Sequence, residues 1–70
     1  MGYINVSETG QLSCTHPMVK KITQCGRLGE NKMVRVINLS LIDGAHHEFV
    51  DDGKGKAIEN AETFLQSIEN

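Results

Sequence analysis

A chain of 70 residues makes one domain, residues 1–70, and a hydrophobic fraction of 39% beside 23% charged residues excludes a disordered polymer. The net charge of −2 excludes a general affinity for polyanions, and with Tyr3, Phe49 and Phe64 as its only aromatic residues the chain is poorly equipped for base stacking. The longest apolar stretch, Met33 to Ile42, is broken by Arg35, Asn38 and Ser40, so no membrane span is expected. The N-terminus lacks the basic-then-apolar pattern of a secretory signal, and Met1-Gly2 opens a myristoylation pattern that fails at Val6. A cytoplasmic location follows as the expectation, with Cys14 and Cys25 as reduced thiols.

In chain order, Tyr3 to Ser7 alternates as a strand with Ile4 and Val6 on one face. Glu8-Thr9-Gly10 reads as a turn, and Gln11 to Cys14 as a short returning strand with Leu12 and Cys14 inward. Thr15-His16-Pro17 resembles a helix start, followed by Met18, Ile22 and Cys25 at helical spacing and Gly26 where a left-handed stop belongs. A short helix near residues 16–25 is therefore expected, although the β-branched Val19, Ile22 and Thr23 also suit a strand. Leu28 to Lys32 is a loop and Met33 to Ile42 the clearest strand, with Ile37, Leu39 and Leu41 on one face. Asp43-Gly44 is a strong hairpin signal of the type I′ kind, and Ala45 to Val50 returns from it with Ala45, His47 and Phe49 on one side. Asp51-Asp52-Gly53 ends that strand. Residues 56–68 form an amphipathic helix whose stripe is Ala57, Ile58, Ala61, Phe64, Leu65 and Ile68.

The implied fold class is α+β: a three- to four-stranded antiparallel sheet with the C-terminal helix on one face and a short helix near residues 16–25. One helix covers one sheet face and leaves Val34, Val36 and Ile42 to something else. Burying a valine is worth about 1.5–3 kcal/mol, so either the first helix or a second copy of the chain is expected to cover them. These three residues are accordingly the candidate interface, and a homodimer is the expectation.

Five cations cluster early in the chain: Lys20, Lys21, Arg27, Lys32 and Arg35. Against Glu8 and Glu30 they give residues 1–35 a charge of +3, while residues 36–70 carry −5. They are the candidate nucleic-acid-binding residues. Gly26-Arg27-Leu28-Gly29 among them resembles the G-x-x-G loop of K-homology domains, which clamps the backbone of a single strand. That family places the loop between two helices, whereas here a strand starts at about Lys32 or Met33, and the family is not assigned.

Cys14, His16, Cys25, His46 and His47 offer zinc-ligand chemistry, but without the tight pairs that structural zinc sites use, so no metal and no cofactor are assigned. A cysteine–histidine nucleophile would need a cleft that 70 residues hardly enclose. Gly53-Lys54-Gly55-Lys56 before the last helix suggests phosphate binding, yet misses the phosphate-loop pattern at Val50 and Ala57. The expectation is a non-enzymatic binding or regulatory protein of the kind phages and bacteria encode, acting on a protein partner through a sheet edge or the second sheet face. The alternatives are a nucleic-acid binder using segment 20–35 and a metal-stabilised module.

Overall fold

The structure, a computed structural model, describes residues 2–51 and 53–69. Met1 of the myristoylation pattern, Asp52 of the acidic turn and Asn70 lie outside the described residues. Among the described residues five strands precede one helix: β1 (Ile4–Val6), β2 (Leu12–Cys14), β3 (Val19–Leu28), β4 (Met33–Leu41), β5 (His46–Asp51) and α1 (Lys56–Ser67). The chain is thus α+β, with β1 and β2 paired as a separate hairpin and β3-β4-β5 forming an antiparallel meander.

Residues 16–25 form no helix. Pro17 and Met18 make a turn, closed by the Val19 amide on the His16 carbonyl at 3.1 Å, and β3 runs ten residues from there. Its pairing with the whole of β4 outweighs a local helix pattern, as β-branched Val19, Ile22 and Thr23 permit. Gly26, read as a helix stop, sits inside the strand without a positive φ. The alternation expected of a strand was hidden because Gln24 faces the covered side while Cys25 faces solvent at an edge.

The Asp43-Gly44 hairpin is present, but it is not a type I′ turn. Gly44 has φ +94° while Asp43 has no positive φ. The Gly44 amide bonds the Leu41 carbonyl at 3.0 Å and the Leu41 amide bonds Ala45 at 2.8 Å, the three-residue loop ending on a left-handed glycine. Glu8-Thr9-Gly10 repeats it, with Gly10 at φ +85° and matching bonds between Ser7, Gly10 and Gln11.

Register assigns the faces. Ile37, Leu39 and Leu41 of β4 lie beside Gln24, Ile22 and Val19 on one flank, and Phe49 and His47 stand opposite Ile37 and Leu39 on the other. This face is covered by α1 through Ala57, Ala61 and Leu65, and by the β1–β2 hairpin through Ile4, with Leu39 among them in the core. The expected helix stripe is the one buried. Ile4 is buried as expected, but Val6, expected on the same face, is exposed at the hairpin tip. The second face carries Lys21, Thr23, Cys25 and Arg27 of β3, Val34, Val36, Asn38 and Ser40 of β4, and His46, Glu48 and Val50 of β5. The shortest dimension of the molecule, 17 Å, leaves room for two layers and no third. Among the described residues, no other element covers the second face.

Candidate functional site

The second face begins with polar rows, Lys21–Ser40–His46 and Thr23–Asn38–Glu48. It then turns apolar: Cys25, Val36 and Val50 form one row, and Val34 stands next to Val36 along β4. Val36 is fully buried and Val34 half-buried. The shielding of Val36 comes from its own sheet. Arg27 stands opposite Val34 and Glu48 opposite Asn38, so their two-bond ion pair spans the row that holds Val36. The loss expected from an uncovered Val36 is therefore smaller than the sequence implies. Val50 remains 46% exposed and Cys25 exposed beside it. Ile42 is separated from this patch: it is 60% exposed in the β4–β5 turn, about 20 Å along the strand from Val36.

The five expected nucleic-acid-binding cations are not gathered on one surface. Lys21 and Arg27 lie on the open face, Arg35 lies on the covered side, Lys20 sits in the bulge at the start of β3, and Lys32 occupies the β3–β4 loop. Arg27 is held by Glu48, and Arg35 donates to Gln24 at 3.4 Å and acts on Asp51. The opposite charges of the two halves of the chain are thus partly spent on each other across the sheet.

The amides before α1 hold an anion, and it is internal. The Asp51 carboxylate accepts from Gly53 at 2.9 Å and Gly55 at 3.0 Å, and from the Lys54 amide. The helix N-cap is Gly55, which has no side chain to cap with, so Asp51 organises the turn in its place. The Gly53 bond foremost, then those of Gly55 and Lys54 and the charge of Arg35, hold the Asp51 carboxyl below its ordinary value. Arg27 likewise holds Glu48 low, chiefly through its hydrogen bond. A carboxyl with a lowered folded pKa stabilises above its unfolded pKa, and that contribution disappears as the pH falls through the folded one. Urea midpoints should therefore separate the wild type from Asp51→Asn at pH 7, and the gap should close as the pH is taken from 5 towards 2. A gap that widens on acidification would contradict this assignment.

The cysteine and histidine candidates are dispersed among structural duties. His16 is buried: its Nδ1 accepts the Met18 amide at 3.1 Å, so Nε2 carries the proton and donates to the Leu65 carbonyl at 2.9 Å. His46 bonds Ser40 at 3.1 Å, and His47 packs on Phe64 with ring centroids 4.3 Å apart. Burial, with Glu62 adding to it, pushes the Cys14 thiol up and away from thiolate chemistry. No three metal-ligating side chains converge among the described residues. Sequence reading missed three functional roles: His16 as a helix clamp, Asp51 as a loop organiser, and Glu62, whose carboxylate accepts the Ile4 amide at 2.5 Å and ties β1 to α1. Only Asp51 had a local signal, a carboxylate placed just before closely spaced glycines.

The molecule does carry a depression of pocket size, against the expectation that so short a chain has little room for one. It is an open groove of about 430 Å3 lined by Gln24, Cys25, Gly26, Met33, Val34 and Arg35. It contains no imidazole. Leu28, 74% exposed, and Met33, 64% exposed, pair at its end beyond the helix. No described helix is long and apolar enough to cross a membrane. No family model, curated protein or solved structure matches the chain.

Proposed function

We propose that this chain is a small non-enzymatic binding protein, working in the cytoplasm, that regulates or accompanies a protein partner through its open sheet face and the strand edge beside it. The observation that carries this reading is the one-sided coverage of the β3-β4-β5 sheet. The clustered core side chains and both covering elements lie on one face, while the other, apart from Val36 beneath the Arg27–Glu48 pair, presents Cys25, Val34 and Val50 to solvent. An apolar patch rimmed by Lys21, Arg27, His46 and Glu48 has the make-up of a recognition surface, with a dry centre and a charged margin. The disposition of the cysteines and histidines favours binding over catalysis, since His16 has both ring nitrogens engaged within the fold.

Affinity capture from the native host lysate, with and without nuclease, tests this reading. The expected result is a protein retained after nuclease treatment and lost with Val50→Glu or with a variant of the β3 edge. Val50 is half-exposed, so the glutamate leaves the core intact. Capture that disappears with nuclease would instead establish the nucleic-acid alternative. Sedimentation of the protein alone reports whether a second copy is the partner.

A further inference from the structure

We propose that a second copy of this chain pairs with the outer edge of β3 from Gln24 to Leu28, antiparallel about a two-fold axis at Gly26, so that the two β3-β4-β5 sheets join into one. The pairing rests on the protein-binding reading above, whose strand edge it fills. Among the described residues β3 is paired on one side only. The Gly29 amide bonds the Lys32 carbonyl at 2.7 Å, and hydrogen-bonded pairs recur every second residue in an antiparallel ladder. Arg27, Cys25, Thr23 and Lys21 therefore bond to β4, while the backbone groups of Ile22, Gln24, Gly26 and Leu28 point outwards. The β1–β2 hairpin reaches this edge at Gln24, whose side chain donates to the Gly10 carbonyl at 2.6 Å. Residues 25–28 beyond it are all exposed, and β3 ends at Leu28. The open stretch thus has Gly26 at its middle, and a single two-fold antiparallel pairing uses all of it.

That pairing sets outward backbone groups against outward backbone groups. Gln24 meets Leu28 of the second copy, Gly26 meets Gly26, and Leu28 meets Gln24, all as hydrogen-bonded pairs. Cys25 stands opposite Arg27 between them, so no row of the pair opposes like charges. The Arg27 guanidinium is drawn inward to Glu48 of β5, which neutralises it and clears the edge. Arg35 and its counterpart lie three strand spacings apart, about 14 Å, beyond the screening length of physiological salt.

Gly26 and its surroundings suit an axis. A glycine inside a strand gives another backbone room to come close, and here no positive φ requires one. The end of the Met33 side chain lies over it, 3.1 Å from where a Cβ would stand. Met33 is 64% exposed and Leu28 beside it 74% exposed, both on the face that α1 covers further along. The two-fold pairing brings a Met33 from each copy to the glycine pair and lays each Leu28 beside a Gln24 whose amide is already turned to Gly10. On the open face the Cys25–Val36–Val50 rows of both copies come onto one continuous surface. So short an edge buries less than a standard interface, and the dimer forms in proportion to concentration. The sequence placed a second copy over Val34, Val36 and Ile42. Val36 is already shielded and Ile42 lies apart, so that face asks less of a second copy than the edge does.

Sedimentation of the protein alone between about 10 μM and 1 mM is expected to show a monomer–dimer equilibrium with its midpoint in that range. Gly26→Glu sets two carboxylates against each other at the axis and should weaken association at least tenfold. The thermal transition should persist, because the new carboxylate stands in the Arg35 row of its own sheet. A disulfide trap decides the matter if that variant does not fold. In a Cys14→Ser background, protein with Cys25 intact is mixed with protein carrying Cys25→Ser and Arg27→Cys, and oxidised glutathione is added. Positions 25 and 27 of opposite copies form a non-hydrogen-bonded pair, about 4.5 Å apart at Cα and within disulfide reach, whereas the two Cys25 residues lie diagonal at about 7–8 Å. The mixed disulfide should therefore exceed either homodisulfide at least fivefold. A monomer at 1 mM, association indifferent to Gly26→Glu, or a Cys25 homodisulfide in excess would each overturn the proposal. Association lost with Val50→Glu but not with Gly26→Glu would overturn it by moving the second copy to the open face. A monomer that still captures a lysate protein sinks the edge dimer and leaves the broader protein-binding reading standing, whereas a dimer that captures none sinks that reading and supports the edge dimer.

Discussion

Replacing His16 by alanine is expected to cost about 2–4 kcal/mol, a large share of the roughly 4–10 kcal/mol that a domain of this size commands. The reason is the position of the ring. Leu65 lies in the last turn of α1, where backbone carbonyls lack partners within the helix, and that turn contains no basic residue. The His16 Nε2–H satisfies the Leu65 carbonyl from outside, while Nδ1 takes the Met18 amide at the turn into β3. One side chain thus joins the end of the helix to the start of the longest strand. Its edge-on contact with Tyr3, at a ring separation of 4.6 Å, adds the end of the chain that leads into β1. Alanine would leave the partly buried Met18 amide without its partner, leave the Leu65 carbonyl with the long bond from the Ile68 amide at 3.3 Å, and open a cavity among three elements. Urea denaturation of His16→Ala beside His46→Ala checks this. His46 is exposed and bonds Ser40, so its loss should stay within about 0.5 kcal/mol. Equal effects from the two variants would refute the clamp.

Leu39→Ala should be as damaging or more so, at about 2–5 kcal/mol, and should leave a substantial unfolded population in dilute buffer. Leu39 is fully buried and belongs to the core cluster with Ile4, Ala61 and Leu65, so it is where sheet, hairpin and helix meet. A small domain has few such residues, and rigid strands on both sides of β4 limit how far the cavity can collapse. Leu28→Ala provides the contrast, because Leu28 is mostly exposed and its truncation removes little packing. Should Leu28→Ala destabilise as much as Leu39→Ala, the assignment of faces would be wrong.

The α+β class, the strand read at Met33–Ile42 and ending one residue earlier, the glycine-closed hairpins and the C-terminal helix were legible in the sequence, because each rests on a local cause. Period-two alternation of Ile37, Leu39 and Leu41 with polar residues, period-3.6 spacing of Ala57, Ala61, Phe64 and Leu65, and glycine at left-handed positions 10 and 44 are properties of neighbouring residues. Segment 16–25 was not legible, because its local pattern fits a helix stop while a nine-residue partner strand, distant in register, holds it extended. The same holds for the surface. The sequence placed Val34 and Val36 on the face that α1 does not cover, and the structure agrees for those two while moving Ile42 into a turn. Only tertiary pairing brought Arg27 to Glu48 over Val36, His16 to Leu65, and Gly26 to an outer edge beside a groove. Hydrogen bonds and ion pairs between residues 21 to 49 positions apart leave no periodicity to read, so the chain specified its elements by itself and the folded sheet decided which of its surfaces faces outwards.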